Sequence, residues 1–208
     1  MLKKVFNGVF LKRLDNIIQW QDKDVIFRES VSSHSYKVSV FCTLILDEIF
    51  GEENNKEDVV NFKLRCIKHA IFHDWDEALL LRDISHETKY NSYNGEQIRS
   101  VLDNLSKHLA VNEFLDGTST GEFVFGAIFT NDESVNSFCK VCDWLALAFF
   151  IKREQSMGNQ NLSAQETTVK DGLRKSINRC VGILVQRFGR DNIRVSVFED
   201  LIKSIYEK

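Results

Sequence analysis

The stretch HDWDEALLLRD, residues 73–83, crowds one imidazole and four carboxylates around an alanine and three leucines. The leucines read as the packed side of a short helix, so the charges beside them need a reason. His73 and Asp74 close a preceding segment whose Ile67, Ala70 and Ile71 read as buried. Two further polar residues fall on apolar faces by helical spacing: from His34, steps of three and four reach Val38, Phe41 and Ile45, and from Asp143 they reach Cys139, Ala146, Leu147 and Phe150. A lone buried histidine is satisfied by one backbone hydrogen bond. An ionised aspartate in an apolar setting is very costly without a cation or donors beside it. Two arrangements answer for His34, His73, Asp74 and Asp143 together: a divalent metal held by two imidazoles and two carboxylates, or a hydrogen-bonded network in the core.

The rest of the chain supplies the frame. Proline is absent, glycine is sparse, and apolar residues recur at helical rather than alternating spacing, which predicts an all-α protein. Helices are expected at 8–20, 33–50, 56–72, 76–81, 93–114, 133–157, 165–188 and 195–207. Ser32 and Ser33 are candidate caps of the second helix, and Gly51 follows its last apolar residue, where a left-handed C-terminal position is needed. The segments 116–130 and 157–163 read as loops. With 208 residues, a single domain over 1–208 is expected.

Composition excludes several function classes. There is no run of 18 or more apolar residues, so no membrane partner is expected, and the N-terminal MLKKVFNGVFLKRLDN lacks the apolar core of a secretory signal. A cytoplasmic location follows as the expectation. A net charge of -3 lacks the basic footprint of a general nucleic-acid binder. The five cysteines are an odd number in apolar surroundings, which suits reduced, packed thiols, and Cys139 and Cys142 form a CxxC without the second pair or βαβ pattern that would give it a zinc or redox role.

The order H…HD…D on successive helices resembles the HD-domain metal-dependent phosphohydrolase superfamily. Four segments extend the likeness to the 5′-deoxynucleotidase (YfbR-like) subgroup: RLDNIIQW (13–20), ESVSSHSYKVSVFC (29–42), HDWDEALLLRD followed by KYN (73–83 and 89–91), and KVCDWLALAFFIKRE (140–154). The resemblance covers roughly 11–154, with 155–208 completing the fold as C-terminal helices. It implies a compact helical bundle with a metal site in its core.

By that resemblance His34, His73, Asp74 and Asp143 are the metal ligands, for one divalent transition ion (cobalt, manganese, zinc or iron), with magnesium joining if the substrate is a polyphosphate. Glu77 matches the glutamate that orients or deprotonates the attacking water; its plainer reading is a solvated carboxylate on a helix face. Arg13 matches the arginine that holds the substrate phosphate, a task for planar bidentate donors. Trp20, seven residues on and two helical turns along the same face, matches an aromatic beside phosphate and sugar; otherwise it is an ordinary core aromatic. Asp83 matches an aspartate that recognises the deoxyribose, but this chain reads LRDIS where the subgroup has a GDLP-like turn one residue shorter. Lys89 is a candidate phosphate contact or a plain surface lysine. Asp76, His69 and His86 receive no role.

The implied activity is hydrolysis of deoxyribonucleoside 5′-monophosphates to deoxynucleoside and phosphate. A deoxynucleoside triphosphate triphosphohydrolase on the same scaffold is the alternative, and Arg13 as the one strong phosphate cation favours the monophosphate. An inactive nucleotide-binding regulator and a helical interaction module without metal are further readings; His34 together with Glu77 speaks against the regulator. Similar enzymes are commonly dimers, so a homodimer is expected.

Overall fold

The structure, a computed structural model, describes residues 9–80, 83, 95–114 and 119–206. Among these residues the regular structure is helical, with one isolated bridge between Ile18 and Ser30 and no strand. The chain forms two compact units: one comprises Met1–Ser35 and Phe72–Phe129, the other Tyr36–Ile71 and Thr130–Lys208.

The first unit contains α1 (Val9–Asn16), the first turn of α2 (Val31–Phe50), α4 (Trp75–Leu80), α5 (Gly95–Phe114) and α6 (Ser119–Ile128). Here α1 packs on α4, α4 on α5 and α5 on α6. Leu14 and Ile17 share a core with Val31, Trp75, Ala78, Val124 and Ile128. Three expectations change in this unit. First, α1 ends at Asn16, because Ile17 and Ile18 leave the helix and Ile18 pairs with Ser30. Trp20 therefore lies beyond the helix rather than two turns along the face of Arg13. Second, the cap of α2 is Ser30, whose Oγ accepts the Ser33 N–H at 3.3 Å; the helix begins at Val31, ahead of both serines expected to cap it. Third, much of the segment read as a loop at 116–130 is helix α6. Burying Val124, Ala127 and Ile128 there outweighs the roughly 1 kcal/mol that a helical glycine such as Gly126 costs.

The second unit holds the rest of α2, a 3₁₀ turn (Gly51–Asn55), α3 (Glu57–Phe72), α7 (Glu133–Ser156), α8 (Ser163–Phe188) and α9 (Ser196–Tyr206). Its α7 and α8 make the most extensive helix packing among the described residues. Phe62 of α3 is fully buried, with its ring against those of Phe50, Phe138 and Phe188. Gly51 adopts φ +49, the left-handed position expected after Phe50. The segment 157–163 is a hydrogen-bonded turn rather than an open loop: Asn159 Nδ2 donates to Glu154 Oε2 at 2.7 Å, with both residues and Leu162 buried. On α3, Ala70 is buried as expected, but Ile71 is exposed, since it follows Ala70 by 100° around the helix. Among the described residues α7 alone is long and apolar enough to cross a membrane by composition, and 67% of that window is buried inside the protein, the pattern of a core helix.

Candidate metal centre

Local chain geometry brings three of the expected ligands together in the first unit. Once Ser30 has capped α2, its carbonyl accepts the His34 N–H at 3.0 Å, so His34 stands one turn into the helix and is buried. At the other end of the sequence motif α3 stops at Phe72, and the chain turns through His73 and Asp74 into α4. The Glu77 N–H donates to the Asp74 carbonyl at 3.0 Å, closing that turn. Two adjacent side chains thus sit at a corner of the backbone facing His34.

His73 Nε2 lies 3.0 Å from Asp74 Oδ2, and His34 Nε2 lies 3.9 Å from the same oxygen. The two imidazole rings stand 5.5 Å apart. One ligand atom from each of His34, His73 and Asp74 falls within 4.8 Å of the others. Metal–nitrogen and metal–oxygen bonds of about 2.1 Å place two ligands about 3 Å apart at right angles and about 3.4 Å apart tetrahedrally. The 3.0 Å separation matches the right-angle value, and the 3.9 Å separation is wider than tetrahedral but within the about 4.2 Å that two such bonds span in line. At 3.9 Å, His34 Nε2 is beyond hydrogen-bonding reach of Asp74 Oδ2, yet close enough for both atoms to bond one ion between them. Two imidazoles and a carboxylate are a donor set for first-row transition metals, so the residues fit such an ion.

The other expected site residues are distributed as follows. Glu77 is only 2% exposed, so it is no solvated carboxylate on a helix face. Arg13 is half-buried on α1, next to Leu14, which shares the core with Ala78, the neighbour of Glu77. Trp20 has φ +61, and its backbone N–H donates to Asp83 Oδ2 at 3.0 Å. Asp143 belongs to the second unit, on α7, where it accepts from Lys140 Nζ at 2.7 Å. His69 is half-buried on α3. Lys89 and His86 lie outside the described residues, as does the side chain of Asp76.

Several supporting residues were not foreseen. Ser32 Oγ donates to Asp15 Oδ1 at 2.5 Å, tying α1 to the start of the helix that carries His34. Glu29 is buried just before the Ser30 cap. Ser32 and Ser33, the capping signal in the sequence, lie two and three residues after the serine that caps the helix; nothing in the residue types announced the left-handed tryptophan.

All five cysteines are free and buried in the second unit. Cys42 and Cys139 place their sulfurs 3.9 Å apart, and Cys139 Sγ donates to the Cys66 carbonyl at 3.3 Å. Burial, followed by the neighbouring thiols, pushes the Cys139 and Cys142 thiols well above their ordinary range, the opposite of a reactive CxxC.

A sequence model of the YfbR-like 5′-deoxynucleotidase family matches residues 8–191. Among solved structures, that of an HD-domain phosphohydrolase from Listeria innocua is similar at a TM-score of 0.60, with 15% identity over 98% of each chain, a likeness of fold. No curated protein matches the chain significantly.

Proposed function

Because the chain belongs to the YfbR-like 5′-deoxynucleotidase family, and so is a hydrolase of the HD phosphohydrolase type, we propose that it removes phosphate from deoxyribonucleoside 5′-monophosphates at the His34, His73 and Asp74 cluster. The observation that carries this reading is the convergence of those three ligand atoms within 4.8 Å, with Glu77 buried one helical turn after Asp74. Asp143 is proposed as the fourth ligand on its sequence motif. A divalent first-row ion, of which cobalt, manganese, zinc and iron all suit mixed nitrogen and oxygen donors, would supply Lewis acidity toward a phosphoryl oxygen and lower the pKa of water.

The chain's own residues account for the remaining chemistry. Arg13 pairs its guanidinium with two phosphate oxygens, which fixes the phosphorus for in-line attack. Glu77 accepts the proton of the attacking water, a role that a buried carboxylate fills without competition from bulk solvent. Trp20 stacks beside the sugar and excludes water there. Lys89 is kept as a second phosphate contact in the same proposal. The family description supports the monophosphate over a triphosphate substrate, and a buried Glu77 supports turnover over a binding-only regulator.

The whole of 1–208 is proposed as one HD domain, since the family match runs unbroken through segments of both units. A homodimer in the cytoplasm belongs to the same proposal; five free thiols suit a reducing compartment, and sedimentation decides the dimer. The enzymatic test pairs elemental analysis with phosphate release from deoxyadenosine 5′-monophosphate in cobalt or manganese. Wild-type protein should carry metal and release phosphate, and His73→Ala should do neither. Phosphate release by metal-free His73→Ala at the wild-type rate would overturn the reading.

A further inference from the structure

The turn around Trp20 is held in a conformation that its residue type does not favour. A bulky side chain at φ +61 is an outlier for an L-residue, and such backbone persists only where its surroundings over-determine it. Here they do. Gln19 N–H donates to the Glu29 carbonyl at 2.8 Å and Val31 N–H to the Ile17 carbonyl at 2.9 Å, pinning the residues before Trp20 to 29–31. Lys23 N–H donates to the Trp20 carbonyl at 3.0 Å. The remaining backbone group, the Trp20 N–H, is taken by Asp83 Oδ2 at 3.0 Å across 63 residues of sequence. An amide bonded to an ionised carboxylate is among the stronger hydrogen bonds a backbone can make. Asp83 itself stands six residues after Glu77, so this bond joins the tryptophan turn to the segment that carries the proposed ligands and base.

We infer that Asp83 is a positioning residue, whose carboxylate fixes the left-handed turn at Trp20 through the backbone N–H instead of binding the sugar itself. The inference rests on the proposed placement of Trp20 beside the substrate. If Asp83 works this way, specificity at the sugar depends on where the tryptophan backbone is held, and Asp83 acts equally on substrates with or without the sugar hydroxyls.

Two measurements test it, the first without any substrate. Amide hydrogen exchange at residue 20 should be slow in the wild-type protein. It should accelerate by about tenfold or more in Asp83→Ala, the loss expected for a bond to a charged acceptor, and by less in Asp83→Asn, whose neutral side-chain carbonyl still accepts. Fast exchange in the wild type, or unchanged exchange in Asp83→Ala, overturns the inference; the wild-type measurement decides even if the alanine variant fails to fold. The second compares a deoxynucleoside 5′-monophosphate with its 2′,3′-dideoxy analogue. Positioning predicts that Asp83→Ala raises KM by the same factor for both, with rescue by Asp83→Asn. A loss confined to the substrate bearing the 3′-hydroxyl overturns it. Absence of nucleotidase activity in the wild type would count against the proposed function, while exchange at residue 20 would still decide the role of Asp83.

Discussion

Replacing Glu77 by glutamine isolates the proton-accepting role from everything else at the site. The side chain is only 2% exposed, and glutamine preserves its length and shape, so packing around α4 is retained. What is lost is the ability to take a proton from water. General-base catalysis contributes about 10²–10⁴-fold, equivalent to about 2.7–5.4 kcal/mol at 1.36 kcal/mol per factor of ten. Glu77→Gln should therefore lower kcat for a deoxynucleoside 5′-monophosphate by that factor while leaving KM within about threefold, because Arg13 still holds the phosphate. Metal content should stay at the wild-type level, since Glu77 is not among the three converging ligands. Thermal stability should be unchanged or slightly higher, as burying a neutral amide costs less than burying a carboxylate. Phosphate release over time, read beside elemental analysis and a melting curve, supplies all three numbers. A Glu77→Gln enzyme with kcat within about threefold of wild type would refute the assignment.

Four further outcomes follow from the packing and the charges. On α8 an added Cβ at Gly172 would meet Trp144 Cζ2 at 2.5 Å, and that ring is buried, so Gly172→Ala should cost about 1–3 kcal/mol by urea unfolding. Gly182→Ala on the same helix meets nothing within 4 Å and should be neutral or stabilising by up to about 1 kcal/mol. Burial alone would raise the Asp132 carboxyl, but the Ser134 hydroxyl, the Arg187 guanidinium and the Val135 N–H outweigh it and hold the group well below its ordinary 3.8. The folded value being the lower one, Asp132 stabilises the fold above the ordinary value and loses that contribution as pH falls below it. The stability gap between wild type and Asp132→Asn should thus be flat at neutral pH and shrink as pH falls below about 4; a gap constant down to pH 2 contradicts the assignment. The five buried thiols, with burial pushing Cys180 up to about 12, should resist a thiol–disulfide reagent in native protein at pH 8 and all react in denaturant.

Much of this was legible in the residues, and the exceptions have physical causes. Period-3.6 patterning located α2, α3, α7 and α8 because each buries a long stripe, and the Phe50–Gly51 step marked a true left-handed helix end. The same patterning failed at α6, where three glycines between 116 and 130 outweighed a short apolar run whose burial decides its structure. It also carried α1 too far: Ile17 and Ile18 continue an apolar pattern, but backbone pairing of Ile18 with Ser30, fixed by residues a dozen positions away, ends the helix. At the site, His34 was visible as a polar group on an apolar face and His73 and Asp74 as the polar end of an apolar segment, whereas the bond from Trp20 to Asp83 spans 63 residues and leaves no local trace.

The central claim concerns which bond is cut. The most direct test incubates the metal-loaded protein with deoxyadenosine 5′-monophosphate and deoxyadenosine 5′-triphosphate in parallel and separates the products by chromatography. Deoxyadenosine and inorganic phosphate are expected from the monophosphate, with both abolished in His73→Ala. Release of inorganic triphosphate from the triphosphate with no attack on the monophosphate, or no hydrolysis of either with any divalent metal, would contradict it.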